Sequence, residues 1–278
     1  MNWKRPLGLE VDMLNDDYHK SPGISSSQAK LALKAPALYR ASIAGELPHK
    51  QTPAMTLGTI VHTIILEPGM LDSDAVVLPK FKATKAGKEE KAEFMAHHAG
   101  KIMLPQADMD KAAAMANSVM ALTDAEAILS DSTNELSGWY DDPETGLLCR
   151  YRPDARTDYC IADVKTCQDA SPAGFSRAIE NFGYALSAAH YLIGDEQLTG
   201  TTHRQFVFIC VESSPPYLPA IYVLDQESLD YGTWQRRKAL DIIKRCTDSG
   251  IWSTYQDGIA TEIGVPYWAI KKSIEDMQ

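Results

Sequence analysis

The sequence lacks paired cysteines, long apolar runs, a glycine-rich phosphate loop and any excess of positive charge, and each absence closes off a class of function. Its five cysteines (Cys149, Cys160, Cys167, Cys210 and Cys246) are scattered and odd in number, with no Cys-x-x-Cys pair. That spacing argues against a disulfide framework, a zinc ribbon or an iron–sulfur site, and buried free thiols are expected instead. No apolar stretch approaches the ~18 residues of a membrane span, so no membrane partner is expected. Residues 1–17 mix Lys4, Arg5, Glu10 and Asp12 with apolar side chains and lack the unbroken apolar core of a secretory signal. A cytoplasmic location is the expectation. The missing Gly-rich loop argues against nucleotide-driven chemistry. The formal net charge of −10 counts against nucleic-acid binding, since phosphate contacts call for Lys and Arg. Distribution matters more than the sum, however, and the cations are clustered. Lys80, Lys82, Lys85, Lys88 and Lys91 form one group; Arg150, Arg152, Arg156 and Lys165 form another.

What is present is an ordinary globular composition, 278 residues with 45% hydrophobic and 23% charged side chains, long enough for a substantial core. Without an internal repeat or low-complexity linker, a single domain over residues 1–278 is expected. One of Ser25, Ser26 and Ser27 is placed to cap a short helix carrying Leu31, Leu33 and Leu38, with Pro36 breaking the run. Over 55–66, Leu57, Ile60, Val61, Ile64 and Ile65 fall at helical spacing, and Pro68-Gly69 ends the pattern. Helices are also predicted over 88–98 and 108–122. From Glu135 the texture changes. Short β-branched or aromatic runs at 135–141, 146–154 and 158–166 predict a three-stranded meander. Helices at 171–180 and 184–198, strands at 204–212 and 219–224, and a long helix from 226 to about 247 complete a mixed α+β (α/β) chain. Arg236-Arg237-Lys238 on that last helix is expected on an exposed face. The lysine group at 80–91, with Phe81, suits either a phosphate-gripping segment or a solvated loop.

The chemistry concentrates in Arg152-Pro153-Asp154 and Asp163-Val164-Lys165. Residues two apart on a strand share a face, so Asp163 and Lys165 point the same way. A hairpin turning near Asp158-Tyr159 would set Asp154 roughly opposite Asp163. Two carboxylates facing each other repel unless one is protonated or a cation lies between them. Hard divalent cations such as Mg²⁺ take oxygen ligands of this kind. Lys165 adds a positive charge able to position a water and stabilise charge on a phosphate. His62 lies on the amphipathic 55–66 segment, with Gly58 one turn before it leaving room for another chain segment. Glu67, about 140° around an ideal helix from His62, is not expected to share its task.

Taken in order, Tyr18-His19, Gly23-Ile24-Ser25-Ser26-Ser27, Ala35-Pro36-Ala37-Leu38-Tyr39, Gly58-x₃-His62-x₄-Glu67-Pro68, Arg152-Pro153-Asp154 and Asp163-Val164-Lys165-Thr166 resemble the RecE (exonuclease VIII) family. That family belongs to the PD-(D/E)XK nuclease superfamily, and the resemblance runs from about residue 18 to about 247. It implies a restriction-endonuclease-like central mixed sheet flanked by helices. It further implies Mg²⁺, or Mn²⁺ in its place, held by His62, Asp154, Asp163 and the Val164 carbonyl. Asp154, Asp163 and Lys165 would be catalytic, with Lys165 serving the attacking water, and Arg152, Ser187 and Tyr191 would meet the substrate. The implied substrate is linear double-stranded DNA digested 5′ to 3′, the implied partner a single-strand annealing protein of RecT type, and the implied assembly a homo-oligomeric ring. One departure is visible. Relatives often carry Gln-x-x-x-Tyr after the Asp-x-Lys strand, whereas this chain has Ser187-Ala188-Ala189-His190-Tyr191. A water-bridged Ser187 hydroxyl, Tyr184 or His190 are the candidate substitutes for the missing Gln. The alternatives are a catalytically weakened DNA- or protein-binding module and a metallohydrolase of small phosphates.

Overall fold

A computed structural model describes residues 6–11, 13–48, 51–202 and 205–275. Lys4, Arg5 and Asp12, and Arg204 at the start of an expected strand, lie outside the described residues. The chain opens with β1 (Gly8–Glu10), α1 (Asn15–Lys20), α2 (Ser26–Lys34), α3 (Pro36–Ile43) and α4 (Pro53–Leu66). Then come α5 (Leu71–Asp74), β2 (Ala75–Val77), α6 (Lys85–His97), β3 (Ile102–Leu104), α7 (Gln106–Met120) and α8 (Thr123–Ser130). The strand-rich part holds β4 (Thr133–Asn134), β5 (Ser137–Asp141), β6 (Leu148–Tyr151), β7 (Ala155–Arg156) and β8 (Cys160–Cys167). It is followed by α9 (Pro172–Phe182), α10 (Tyr184–Thr199), β9 (Gln205–Glu212), β10 (Pro219–Val223) and α11 (Gln226–Ser249).

Local chemistry sets the boundaries. Ser25 and Gln28 close a reciprocal capping box at the start of α2, the Gln28 N–H donating to Ser25 Oγ and the Ser25 N–H to Gln28 Oε1. Pro36 does more than end α2: it occupies the first turn of α3, where its missing N–H has no helical partner to lose. Gly183, at φ 61°, is the single left-handed residue between α9 and α10.

The central sheet has the order β10-β9-β8-β7-β4. β8 and β9 run parallel, from Cys160↔Gln205 to Cys167↔Glu212, so the chain between them must cross over, and α9 and α10 make that crossing. The flanking pairs are antiparallel. Alternation along β8 and β9 divides the core. Ala162, Val164, Val207, Ile209 and Val211 face α4 and α7, while Ile161, Phe206, Phe208 and Cys210 face α9 and α10. The expected meander is thereby corrected. β5 and β6 join β1 in a separate three-stranded sheet, and β7 and β8 belong to the central one. Pro153 lies at the break, where its lack of an N–H keeps the β6 ladder from running on.

The second sheet packs through Tyr140, Cys149 and Tyr151 against Leu186 of α10, Ala239, Leu240 and Ile243 of α11, and Ala29 and Ala32 of α2. Here the expected exposed face of α11 holds for Lys238 and is corrected for Arg236 and Arg237. Arg236 is buried and donates to Asp142 and Tyr140, and Arg237 pairs with Asp142 and Glu144. An acidic turn far away in sequence neutralises both guanidiniums. All five cysteines are free. Among the described residues, no single helix is long and apolar enough to cross a membrane.

Candidate active site

The β7–β8 hairpin pairs Ala155 with Ala162 and Arg156 with Ile161, a register that carries Asp154 to the level of Asp163. β7 has ended by that point, and the Val164 N–H would be left without a ladder partner. Asp154 takes it instead, its Oδ2 accepting the bond at 2.7 Å. The same carboxylate oxygen lies 3.5 Å from His62 Nδ1 on α4. His62 is directed at the Val164 backbone carbonyl, and Lys165 Nζ lies 3.5 Å from that oxygen. Lys165 also sits 2.5 Å from Asp163 Oδ2. Asp163 is 4% exposed, which excludes a solvated surface pair. His62, Asp154, Asp163, Val164 and Lys165 therefore gather at the place where the sheet edge stops being paired. Gly58 allows this: a Cβ there would press against Thr166 Oγ1 at 3.2 Å, so α4 can lie close along the end of β8.

The electrostatics of the group follow from its burial. Desolvation, with Asp154 adding to it and Lys165 opposing, raises the Asp163 carboxyl to about 6. Burial, with nearby Lys165 adding to it and Asp163 and the Val164 carbonyl opposing, lowers His62 to about 4, so the imidazole is neutral near pH 7. For Lys165 burial alone would lower the ammonium, but Asp163 and Asp154 outweigh it and hold the pKa above the ordinary lysine value. Two crowded carboxylates, a backbone carbonyl and a neutral imidazole form a donor set that suits a hard divalent cation. As the side chains stand, no three His, Cys, Asp or Glu groups among the described residues converge as metal ligands. Asp163 is turned to Lys165, whose ammonium offsets the charge of the two carboxylates.

The remaining expected residues are placed differently. Arg152 is buried with its Nε 2.6 Å from Glu135 Oε2 and its NH2 group donating to the Met13 carbonyl. It anchors the N-terminal segment, and its guanidinium has no open side for substrate. Burial first, then Asp154, raises the Glu135 carboxyl to about 8 against the pull of Arg152. Ser187 is also buried, its hydroxyl 3.3 Å from that of Ser26 on α2. Tyr191 lies near Ser26, Asp163 and Asp154. His190 is fully buried, its Nε2 2.9 Å from the Arg150 carbonyl, and so cannot substitute for a Gln at the site. Tyr184 lies beside the site, its ring centroid 5.4 Å from Lys165 Nζ.

Two more residues join this centre: Ser26, read from the sequence only as a candidate cap within the Gly23–Ser27 motif, and Lys30, which carried no signal. Ser26 and Lys30 are one turn apart on α2 and lie on one helix face. Lys30 also reaches Tyr184, its Nζ 5.7 Å from the ring centroid. Burial lowers the Lys30 ammonium to about 8, Asp163 working against the shift and Lys165 with it. A cavity of about 980 Å³ begins beside Lys165, its wall formed by Thr166, Tyr184 and Phe182 and by the N-terminal turns of α4 and α7.

A sequence profile described as a PDDEXK-like domain of unknown function (DUF3799) matches residues 25–262. No curated protein matches the chain. Among solved structures, a presumed exonuclease of Eubacterium rectale superposes with a TM-score of 0.65 at 12% identity, covering 94% of this chain and 98% of its own. That likeness shows a shared fold. An alkaline exonuclease of Laribacter hongkongensis, 13% identical and matched over 61% of this chain and 89% of its own, gives a TM-score of 0.22, too loose to carry an argument. The expected restriction-endonuclease-like fold, a central mixed sheet flanked by helices, is the one observed. With the profile running from α2 past the end of α11, the chain belongs to the family of PDDEXK-like domains of unknown function, and through it to the PD-(D/E)XK superfamily.

Proposed function

We propose that this chain is a nuclease that hydrolyses phosphodiester bonds of DNA with Asp154, Asp163 and Lys165 as its catalytic group. One observation carries the reading. Asp154, Asp163, Lys165 and the Val164 carbonyl are gathered at the unpaired edge of β8, beside a cavity large enough for a few nucleotides. A divalent cation, Mg²⁺ with Mn²⁺ as substitute, held by Asp154, Asp163, the Val164 carbonyl and neutral His62, would supply Lewis-acid polarisation of the phosphate and of the attacking water. Lys165, kept charged by the two aspartates, stabilises the negative charge that develops on the phosphate. Tyr191 and the Ser26–Ser187 hydroxyl pair hold the rear of the site in place.

The RecE resemblance extends the proposal. The substrate is linear double-stranded DNA, cut by a single domain working from 5′ to 3′. The surviving strand passes to a single-strand annealing protein of RecT type, and the enzyme works as a homo-oligomeric ring. A second reading, a weakened module that binds DNA without cutting it, draws on Ser187, whose hydroxyl turns to Ser26 instead of the cavity.

The test combines Mn²⁺ calorimetry with digestion of end-labelled linear duplex in Mg²⁺. The parent is expected to bind Mn²⁺ and shorten the duplex, and Asp163→Ala to lose both. Unchanged Mn²⁺ affinity in Asp163→Ala would sink the ligand assignment. Binding of DNA without cutting would favour the weakened module, and turnover of a nitrophenyl phosphate ester alone would point to small phosphates.

A further inference from the structure

Phe182 and Tyr184 flank Gly183 at the junction of α9 and α10, and their rings stack with centroids 5.5 Å apart at 28°. Tyr184 is fixed from behind by Phe175 and Phe208. Phe182, by contrast, is 61% exposed at the last turn of α9. Both rings line the cavity that begins beside Lys165. Lys30 and Lys165 set their ammoniums near the Tyr184 ring, at 5.7 and 5.4 Å from its centroid. Lys165 is paired with Asp163. Lys30 has no carboxylate within 4.0 Å among the described residues, although it is largely withdrawn from solvent. Its aliphatic stem lies along Gly183, where a Cβ would sit 3.2 Å from the Lys30 Cε, so the glycine gives the lysine its path to the ring. Two acids line the cavity: Asp169 is paired with Arg177 at 3.5 Å, and Asp108 stands in the first turn of α7, on the wall that also carries Lys111. The wall therefore presents an aromatic face, Phe182 backed by Tyr184, and Lys30 lies beside Tyr184 just behind the lining, on the side where the ring meets Lys165.

We propose that Phe182, Tyr184 and Lys30 form a subsite for one unpaired nucleotide adjoining the scissile phosphate. The base stacks on the outer face of Phe182, itself backed by Tyr184, and Lys30 holds the phosphate of that nucleotide. The chemistry fits a single DNA strand. An aromatic face accepts any base once it is out of the duplex, and a nearby cation fixes the backbone without reading sequence. A paired base has no free face to offer, so the subsite selects strands that are already separated or frayed. This inference rests on the nuclease reading for its location, but its test reads binding and needs no cutting.

The experiment is a coupling cycle between base and side chain, using duplexes with a short single-stranded overhang that carries one abasic residue at successive positions. Affinity is measured by fluorescence anisotropy with Ca²⁺ in place of Mg²⁺. In the parent, one overhang position should lose about 5- to 150-fold in affinity when its base is removed. In Phe182→Ala the loss at that position should vanish, and in Phe182→Tyr it should return. Lys30→Gln should weaken every substrate while leaving the effect of the base intact. Equal losses in parent and Phe182→Ala, or no sensitive position in the parent, would overturn the subsite. So would a Phe182→Ala variant that binds all substrates as the parent does but sediments as a different oligomer, since Phe182 would then belong to a protein interface. Digestion by the parent in Mg²⁺ is scored separately. Coupling without cutting keeps the subsite and removes the nuclease reading, whereas cutting without coupling does the reverse.

Discussion

Lys165 is where burial and charge oppose each other most directly. An isolated ammonium at that depth would shed its proton, but Asp163 at 2.5 Å and Asp154 beyond it keep the charge in place. A charged lysine has no lone pair and cannot ligate a cation, so its contribution must come when negative charge builds on the phosphate. Removing a donor of this kind typically costs about 10²–10³ in rate while ground-state binding changes far less. Lys165→Ala is therefore expected to bind linear duplex in Ca²⁺ as the parent does, yet to cut about 10²–10³-fold more slowly in single turnover. Lys165→Arg should restore little, because the guanidinium is broader and differently directed. Near-parental cutting by Lys165→Ala would reduce the pair to structural packing. At this scale the central register was legible, because a period of two and one turn suffice to bring Asp154 level with Asp163. Lys30 was not, since nothing in residues 26–34 tells which neighbour the Ser26–Lys30 face of the helix will meet. Arg152 misled for the opposite reason: its motif places it beside the site, but the buried Glu135 carboxylate claims its guanidinium.

Among the elements, α10 ties the site to the rest of the fold, because it carries Tyr184, Ser187 and Tyr191 and packs against α11. The two helices meet at Gly232, where an added Cβ would collide with the Ala185 carbonyl. Backbone cannot yield as a side-chain tip can, so Gly232→Ala must push α11 away from α10. Overpacking of this sort destabilises by about 1–3 kcal/mol. The urea midpoint should fall accordingly with an unchanged slope, and DNA cutting should fall with it as Tyr184 shifts. A parental midpoint would show that the helices part freely. Helix periods were legible here because each helix buries one stripe, as Ile60, Val61 and Ile65 do on α4. Sheet membership was not. Three successive extended runs look like one meander, and only the interruption at Pro153 sends β5 and β6 to one sheet and β7 and β8 to another. The burial of Arg236 was equally hidden, since its partner Asp142 is 94 residues away.

For the whole molecule, charge and cavity size together bear on how DNA reaches Lys165. A formal net charge of −10 repels duplex at long range, leaving attraction to local cations such as Lys30 and the exposed lysines around α6. The cavity beside the site, about 980 Å³, has the size of a small-ligand pocket, about 300–1,000 Å³. That volume matches a few nucleotides of one strand and is too small to enclose a duplex. A terminal base pair frays readily, but opening an internal stretch forfeits stacking of about 1.4 kcal/mol per step. Three internal steps thus cost roughly 4 kcal/mol, near a thousand-fold in the population that can enter. A covalently closed plasmid should survive over the time in which the same plasmid, linearised, is consumed. A closed circle carrying a short mismatched bubble should be cut at a rate between the two, because the bubble supplies the separated strand without an end. If the intact circle is nicked as fast as the linear form is shortened, strand separation does not limit access, and the protein works as an endonuclease on duplex held outside the cavity.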